Sequence, residues 1–481
     1  MTNTKYNPDE AIAAIATALA PSALAIVRVS GKNCIELVSK IFSRPQTLLS
    51  APANSIVYGW IKDTESQIKT QVELQIESQS KVQLENKIDE VLVSVFRAPK
   101  SFTGEDMCEI SCHGGVSVVT AVYNLLLKNG FRPAEKGEFT FRAYINGKSD
   151  LTKAEAVREI IDSKTDVSRT HAAQRLSGSL FDQIDSIKTL VTDTLAAIEV
   201  DIEYPEDEET IADSFNPADL KKAEQRLSEL IDSWKSEKLY QDGAKIVLAG
   251  KTNAGKSSLF NALLKEDRSI VSDIEGTTRD WIESWVSFDG IPARLYDTAG
   301  LRQTDDIIEA KGVELTKELA CGADLMLYLI DSQKGADSED YKFVKKFHQI
   351  PVVVVFNKCD KSSGAKNDSF FNKSEFDCVE ISAKTCAGLG ILSDKVKSKI
   401  LGSDAKKSEH TGLGSQRQKN AVQEALDRIQ HALKISADGS YGLDAVVQDL
   451  EDCLDWLGEV TGQVTPDDVL GSIFSHFCVG K

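Results

Sequence analysis

The stretch Gly250-Lys251-Thr252-Asn253-Ala254-Gly255-Lys256-Ser257 decides the fold of the segment around it. It follows a short apolar run, residues 246–249, and precedes a helical pattern, which is the setting of the G-x-x-x-x-G-K-S phosphate loop. Glycines there let backbone amides turn towards phosphate oxygens, and the helix N-terminus adds favourable partial charge. We expect Lys256 to neutralise the β- and γ-phosphates and Ser257 to ligate Mg²⁺. The stretch alone predicts a nucleoside triphosphate site without selecting the base.

The base is selected by a second motif, Asn357-Lys358-Cys359-Asp360, which directly follows the apolar run 352–356. The carboxylate of Asp360 can accept two hydrogen bonds from guanine N1 and N2, a pair that adenine does not offer. Ser382-Ala383-Lys384 follows the next predicted strand, and we expect its backbone amides to support the base. The sequence therefore predicts a guanine nucleotide as the ligand.

Two further motifs, Gly276-Thr277-Thr278-Arg279-Asp280 and Asp297-Thr298-Ala299-Gly300, lie between the phosphate loop and the base-binding segments. We expect Asp297 to hold Mg²⁺ through water, Thr278 to be the second protein ligand, and the Gly300 amide to sense the γ-phosphate. Each string alone could be an ordinary turn. Five motifs in this order, between buried apolar runs that alternate with helices, predict a Ras-like G domain with a mostly parallel sheet.

The residue after Gly300 is Leu301, where Ras-type GTPases place the glutamine that orients the attacking water. A leucine cannot orient water, so catalysis must use another residue. Arg279 and Arg302 could supply positive charge, although surface or structural roles are the simpler interpretation. A carboxylate at Glu309 could position or deprotonate water. On the residues alone, a surface acid at a helix start explains Glu309 more simply.

The whole chain has 481 residues, 41% of them hydrophobic and 27% charged, with a net charge of −18. Such an acidic chain is not expected to bind nucleic acid broadly and non-specifically. Its N-terminus lacks a basic region followed by an apolar run, and no stretch approaches about 18 apolar residues. Nine scattered cysteines fit reduced thiols, so we expect a cytoplasmic protein without a membrane span.

The pattern of apolar and polar residues changes along the chain and predicts three domains. Residues 1–147 read as a small α+β domain, with strands predicted at 23–29, 91–96 and 109–113 and a polar insertion at 61–87. Helical patterns fill 148–242 and 404–481, and the G domain occupies 243–403 between them. The economical arrangement is one discontinuous helical domain with the G domain inserted, which is tolerated because domain termini often lie close together.

Several of these motifs together resemble the MnmE (TrmE) family of tRNA-modification GTPases. In the G domain the similar segments are residues 253–258, 276–280 and 297–302. Outside it they are Gly137-Glu138-Phe139-Thr140, Asn146-Gly147-Lys148, residues 150–157 and the terminal Phe477-Cys478-Val479-Gly480-Lys481. The sequence departs from the family at residues 18–24, where a glycine-rich segment is usual, and at Thr252, where proline is common.

The resemblance implies a K⁺-stimulated GTPase that works with a separate FAD-dependent partner, MnmG (GidA). Together the two proteins would add an aminomethyl-type group to C5 of the wobble uridine of certain tRNAs. A tetrahydrofolate derivative, in the 5-formyl or methylene form, would bind the N-terminal domain and carry the one-carbon unit. That domain would also form the homodimer, and MnmG would join it in a heterotetramer or a larger complex.

The resemblance also implies roles for individual residues. Glu309 matches the catalytic glutamate of the family and would act together with Lys256. The implied K⁺ ligands are Asn253, Ser272, Ile274 and Thr277, and the implied folate contacts are Arg28, Glu109, Lys148 and Lys481. The full predicted GTP-binding set is Asn253, Ala254, Gly255, Lys256, Ser257, Ser258, Ser272, Asp273, Ile274, Glu275, Gly276, Thr277, Thr278, Asp297, Thr298, Ala299, Gly300, Asn357, Lys358, Asp360, Ser382, Ala383 and Lys384.

Alternatives remain for the cysteines and for the function. Cys108 and Cys112 stand four residues apart on a predicted strand, which is about 13 Å and too far for one zinc ion, so a structural role is expected. Cys478 fits either a role in the chemistry or a buried, inert thiol. The rival function is a ribosome-assembly or regulatory GTPase switch, although the basic RNA-binding module usual in such proteins is not evident. A folate-binding scaffold without GTPase activity is a weaker third alternative.

Overall fold

The computed structural model divides into two compact units, one formed by Met1–Arg158 with Gly458–Lys481 and the other by Glu159–Leu457. The sequence assigned all of 404–481 to the helical domain, whereas the last 24 residues group with the N-terminal unit. The three predicted domain boundaries, after residues 147, 242 and 403, stay predictions. The residues that the structure describes are 10–63, 87–203, 217–265, 282–297, 322–347, 349–361, 371, 376–402, 412–438 and 443–481.

A six-stranded sheet forms the centre of the first unit, in the order β3-β4-β5-β2-β1-β6. All neighbouring strands run antiparallel except β1 and β6, which are parallel. The three strands predicted from sequence lie within β2, β4 and β5. The strand bounds are β1 Ile12–Ile15, β2 Ser22–Ser30, β3 Ser55–Lys62, β4 Lys87–Phe96, β5 Met107–Gly114 and β6 Arg132–Pro133.

Strands β3 and β4 bury one face of this sheet and leave the other largely exposed, because their side chains alternate, whereas β1 is buried on both faces. In β4, Val91, Val93 and Val95 are buried while Leu92 is exposed. Cys108 and Cys112 lie on the buried face of β5, and burial together with Asp89 raises the pKa of Cys112 to about 11. The helices of the first unit's N-terminal part are α1 Cys34–Ser39, α2 Pro45–Ser50, α3 Val116–Lys128 and α4 Glu138–Ile145.

The C-terminal segment of the first unit packs on α4 through aromatic side chains. The rings of Phe141 and Phe474 meet edge to face, with centroids 5.5 Å apart, and Phe477 lies 5.4 Å from Phe474. Such contacts add to the burial of apolar surface. The helices that follow α4 along the chain are α5 Leu151–Asp162, α6 Asp166–Ser177, α7 Ser179–Glu203 and α8 Pro217–Asp242.

The G domain has a second six-stranded sheet, in the order β12-β11-β10-β7-β9-β8. Only the β8–β9 pair is antiparallel, so the mostly parallel sheet expected from sequence is confirmed. Its strands are β7 Ala244–Gly250, β8 Ile282–Phe288, β9 Ile291–Asp297, β10 Leu325–Asp331, β11 Val352–Asn357 and β12 Asp377–Glu380. Its helices are α9 Lys256–Lys265, α10 Ser338–Lys346 and α11 Leu389–Leu401. The helices that follow along the chain are α12 Gln416–Asp438, α13 Leu443–Thr461 and α14 Asp467–Ser475, and the last of these lies in the first unit.

A single residue, Gly243, joins α8 to β7. Its φ of 75° lies in the left-handed region, and its amide continues the helix by donating to the Leu239 carbonyl at 3.0 Å. A Cβ at this position would lie 2.5 Å from the ring of Trp285, so both the backbone conformation and the packing of the joint require glycine. The long helix therefore leads directly into the strand that carries the phosphate loop. None of the described helices combines the length and apolar character of a membrane span.

Candidate nucleotide-binding site

The phosphate loop connects the end of β7 to the start of α9, at the carboxyl edge of the parallel sheet. Gly250 has a φ of 138°, and a Cβ there would lie 2.3 Å from the carbonyl oxygen of Leu329. Gly255 has a φ of 98°, and its added Cβ would lie 2.1 Å from Nδ2 of Asn357. Both glycines are therefore required by backbone conformation and by close packing.

Lys256 lies at the N-terminus of α9 with its side chain largely buried. Its ammonium group donates to the carbonyl oxygens of Gly250, at 2.6 Å, and of Lys251, at 3.0 Å. The charge is thus held inside the curve of the loop, where the helix N-terminus also favours an anion. Ser257 and Ser258 follow in the first turn of α9 and are exposed.

Asn357 connects the phosphate loop to the base-binding loops. Its side chain is buried, and Nδ2 donates to the carbonyl oxygen of Ala254 at 3.0 Å. Its Oδ1 accepts hydrogen bonds from the amides of Lys358, at 2.8 Å, and Ala383, at 3.0 Å. The motifs that the sequence placed more than a hundred residues apart are brought together by one amide side chain.

The carboxylate of Asp360 lies beside Ser382. The Ser382 hydroxyl donates to Oδ1 of Asp360 at 2.6 Å, and this hydrogen bond lowers the pKa of the Asp360 carboxyl below its ordinary value. The hydroxyl also accepts from the Thr385 amide at 3.2 Å. Lys384 is exposed. Sequence reasoning assigned backbone amides to this loop and missed the hydroxyl, which orients an ionised Asp360.

Three anchoring acids were also missed from sequence. Nζ of Lys358 lies 2.7 Å from Oδ2 of Asp331 and donates to the carbonyl oxygen of Asn253 at 2.7 Å. Lys251 of the phosphate loop pairs with Asp337 and lies 3.3 Å from Oδ1 of Asp340, at the start of α10. The hydrogen bond from Lys251 is the main reason that the pKa of Asp337 falls to about 2. The signal for Asp331 was its position directly after a fully apolar run.

Asp297 is the last residue of β9, and its backbone pairs in register with Leu248 of β7. This places it at the same sheet edge as the phosphate loop, as the motif requires. The remaining G-domain residues that the sequence singled out lie outside the described part of the chain, so their roles stay predictions. They are Ser272, Asp273, Ile274, Glu275, Gly276, Thr277, Thr278, Arg279, Thr298, Ala299, Gly300, Leu301, Arg302, Gln303 and Glu309.

The predicted folate residues lie in the first unit, and three of them come together. Arg28 on β2 donates through Nε to Glu109 on β5 at 2.9 Å and through Nη1 to the carbonyl oxygen of Gly480 at 2.8 Å. Lys481 follows Gly480 directly, and burial together with the nearby charge of Arg28 lowers the pKa of its ammonium group. Two cations and one carboxylate therefore share a partly buried place beside the C-terminus.

Lys148 is less closely placed. Its Cγ packs beside Gly104, 3.2 Å from the point where a Cβ on that glycine would stand. Gly104 is two residues from Phe102, and the ring centroid of Phe102 lies 5.8 Å from the Arg28 guanidinium. Lys148 itself is exposed. Cys478 is also exposed, so the burial expected of an inert thiol is not observed.

Comparison with known proteins gives full-length matches. The family model for the TrmE N-terminus, a GTP-binding protein, matches residues 11–148, and the model for the MnmE helical domain matches 151–478. The chain is 50% identical over 489 residues to a protein of Treponema denticola called tRNA modification GTPase MnmE, with 99% of each chain covered. A protein of the same name from Borrelia recurrentis is 40% identical, again with 99% of each covered. A crystal structure of Aquifex aeolicus Era is 28% identical over 38% of this chain and 66% of that one, with a TM-score of 0.27.

Proposed function

Because the chain belongs to the MnmE family of tRNA modification GTPases, we propose that it couples K⁺-stimulated GTP hydrolysis to modification of the wobble uridine of certain tRNAs. The group added at C5 is of the aminomethyl type. The FAD-dependent partner MnmG acts on the same uridine, and a tetrahydrofolate derivative carries the one-carbon unit. The protein works in the cytoplasm, where this partner and the tRNAs are found.

The selection of a guanine nucleotide is supported by the position of Asp360 beside Ser382. The hydroxyl holds one carboxylate oxygen and favours the ionised form, which is the form that accepts hydrogen bonds from guanine N1 and N2. Asn357 ties this loop to the phosphate loop through Ala254. Base recognition and phosphate binding are therefore parts of one connected site.

The phosphate end of the site suits Mg²⁺ and a triphosphate. Lys256 brings an ammonium group into the loop, and the Ser257 hydroxyl stands in the first turn of α9 as an oxygen ligand for a hard cation. Thr278 and Asp297 would complete the protein's share of that site. When bound, Mg²⁺ neutralises phosphate charge, and Lys256 adds to that effect.

Hydrolysis needs a residue that orients water, because Leu301 cannot do so. We assign this role to Glu309, whose carboxylate can accept a proton or a hydrogen bond from water. K⁺ would supply the positive charge that an arginine finger supplies in other GTPases. Its ligands would be Asn253, Ser272, Ile274 and Thr277. Asn253 has a φ of 64°, an uncommon conformation that fits a specialised position in the loop.

The cluster around Arg28 fits a folate. The Glu109 carboxylate can accept hydrogen bonds from a pterin edge, while the cations of Arg28, Lys148 and Lys481 can attract the acidic glutamate tail. The partial burial of Arg28 and Glu109 makes such contacts stronger than they would be in open water. The bound folate supplies the one-carbon unit, and these side chains hold it in place.

The homodimer forms through the N-terminal domain. Ile56, Tyr58 and Leu92 are large side chains on the outer face of β3 and β4, and all three are exposed, Ile56 by 65%. Tyr58 and Leu92 are directly paired across the two strands, so the apolar surface is continuous. Contiguous exposed apolar surface marks interaction sites, which supports a second copy of this chain as the partner there.

The decisive test of the biological role compares tRNA nucleosides by mass spectrometry in cells with and without the protein. We expect the modified wobble uridine to disappear and its unmodified precursor to accumulate. Unchanged wobble uridines would contradict the proposal and favour the rival, a ribosome-assembly or regulatory GTPase switch. The same measurement in cells without MnmG should give the same precursor.

The test of the mechanism measures GTP turnover in matched K⁺ and Na⁺ buffers. We expect turnover to be faster in K⁺, and to collapse in Glu309→Ala while nucleotide binding persists. The control is Glu424→Ala, which removes an exposed glutamate on α12 and should keep normal turnover. Equal rates in the two salts would remove the role of K⁺, and normal turnover in Glu309→Ala would remove the role of Glu309.

A further inference from the structure

Asp331 ends the buried strand β10, at the same sheet edge as the nucleotide site. It lies opposite Asn357 in the parallel β10–β11 register, and its side chain is only 10% exposed. A buried carboxylate loses hydration and is costly unless it is paired. The pairing that it makes is therefore informative about its role.

The partner of Asp331 is the lysine of the base-recognition motif. Nζ of Lys358 lies 2.7 Å from Oδ2 of Asp331 and also donates to the carbonyl oxygen of Asn253 at 2.7 Å. One ammonium group thus bridges the end of β10 and the phosphate loop. The amide of Gln333 donates to Oδ1 of Asp331 at 3.0 Å, so the other carboxylate oxygen is held as well.

Two of the three residues in this bridge have left-handed backbones. Lys358 has a φ of 67° and Asn253 a φ of 64°. Such conformations are unfavourable for non-glycine residues and persist only where the surroundings hold them. The Nζ contacts supply such a restraint at both places. Burial would raise the pKa of Asp331, but the hydrogen bonds from Lys358 and the Gln333 amide, together with the nearby lysine charges, outweigh burial and keep that pKa below its ordinary value, so Asp331 is ionised at neutral pH.

We propose that Asp331 is a positioning residue for guanine nucleotide binding and hydrolysis. Acting through Lys358, it fixes Asn253 in the phosphate loop and the turn that presents Asp360 to the base. The inference rests on the proposed function, because it takes the site to be the GTP site. It adds a residue that belongs to none of the five motifs identified in the sequence.

The test is a double-mutant cycle on the full-length protein, with GDP affinity measured by calorimetry in Na⁺ buffer. Asp331→Asn keeps the shape of the side chain and removes its charge. We expect it to weaken GDP binding about tenfold in the wild-type background, in line with coupling energies between contacting charges. In a Lys358→Met background the same change should alter the affinity by less than about twofold, because the group through which it acts is gone.

Two further variants separate positioning from a general loss of structure. Asp377→Asn removes another aspartate of the same domain, one that pairs with Lys395 and Lys399 at 2.5 Å each, and should leave GDP affinity unchanged. Asp331→Glu keeps the charge and should retain most of the affinity. Melting curves of the nucleotide-free proteins report folding in each case. An equal loss in both Lys358 backgrounds, no loss at all, or a Glu variant as weak as the Asn variant would overturn the proposal.

The activation of GTP turnover by K⁺ gives a second readout. Because Lys358 holds the Asn253 carbonyl, Asp331→Asn should raise the K⁺ concentration needed for half-maximal activation. The affinity cycle in Na⁺ does not depend on K⁺, so it tests the role of Asp331 even if the protein shows no preference between the two cations. If GDP binding weakens but the K⁺ requirement is unaltered, the proposed effect of Asp331 on Asn253 is overturned. The proposed effect on the turn that presents Asp360 to the base would then remain.

Discussion

Nη1 of Arg28 donates a hydrogen bond to the backbone carbonyl of Gly480, 2.8 Å away and 452 residues along the chain. The same guanidinium pairs with Glu109 at 2.8 Å. The last residues of the protein are therefore part of the wall of the candidate folate site, and the Arg28 side chain is oriented by the chain terminus as well as by its own sheet. This relationship gives a direct test.

Removal of Gly480 and Lys481 should weaken binding of 5-formyltetrahydrofolate by about tenfold or more, because Arg28 loses an acceptor and the site loses a cation. Calorimetry of the truncated protein measures the effect. Lys481→Met separates the two causes, since it keeps the Gly480 carbonyl. GTP turnover of the truncated protein should be unchanged. Folate affinity equal to that of the full chain would show that the terminus has no part in the site.

Gly255→Ala should weaken GDP binding at least about tenfold. Its Cβ would meet Asn357 at 2.1 Å, and its φ of 98° is unfavourable for alanine. Gly390 on α11 is the matched control, because a Cβ there meets nothing within 4 Å. Gly390→Ala should keep normal affinity and raise stability by roughly 0.5–1 kcal/mol. Fluorescent GDP titration gives both values, and equal affinity in the two variants would contradict the packing explanation.

Glu237 should make the second unit sensitive to acid. Burial would raise its pKa, but hydrogen bonds from His171, at 3.1 Å, and Arg175, at 2.9 Å, outweigh burial and hold the pKa below the ordinary value of 4.5. The stability that ionised Glu237 provides is therefore full above about pH 4.5 and is lost as the pH falls through the lowered value.

Glu237→Gln should lower the free energy of unfolding by roughly 1–3 kcal/mol at neutral pH, because the buried Arg175 loses one of its two carboxylate partners and keeps only Glu159. The variant should also lose less stability than the wild type on acidification. Urea unfolding followed by circular dichroism over a pH series measures both. Lys222→Gln, in an exposed pair with Asp219, is the control and should cost less than about 1 kcal/mol. A variant with the same acid dependence as the wild type would refute the assignment.

Thr165 should couple the helical domain to the β8–β9 turn. Its hydroxyl caps α6 by accepting from the Ser168 amide at 3.2 Å and donates to the Gly290 carbonyl at 2.8 Å. Thr165→Val should cost about 1 kcal/mol and speed hydrogen exchange at the turn. Thr170→Val is the control, since that hydroxyl bonds only within its own helix, to Asp166. Unchanged exchange at Gly290 and its neighbours in Thr165→Val would argue against the coupling.

The parts of the site that could be predicted from sequence are the motifs whose residues lie close together along the chain. The phosphate loop and the Asn357–Asp360 motif are short strings whose geometry follows from a strand that ends and a helix or turn that begins. The anchoring contacts could not be predicted in this way, because Asp331 meets Lys358 and Asn253 only after three strands align. Similarly, β1 escaped notice: Ile12–Ile15 is short and wholly apolar, so it carries no alternation to mark it as a strand.

The single-residue joint at Gly243 has a mechanical consequence. The helix that ends there has 26 residues and is therefore about 39 Å long. It is continuous with the strand whose other end leads into the phosphate loop, so a change of angle at Gly243 would swing the helix as a lever with its fulcrum beside Trp285. A rotation of about 10° at that fulcrum moves the far end of the lever by roughly 7 Å, given the rise per residue of an α-helix. A small change of angle at the joint would thereby be enlarged, at the far end of the helix, to the scale of a side chain.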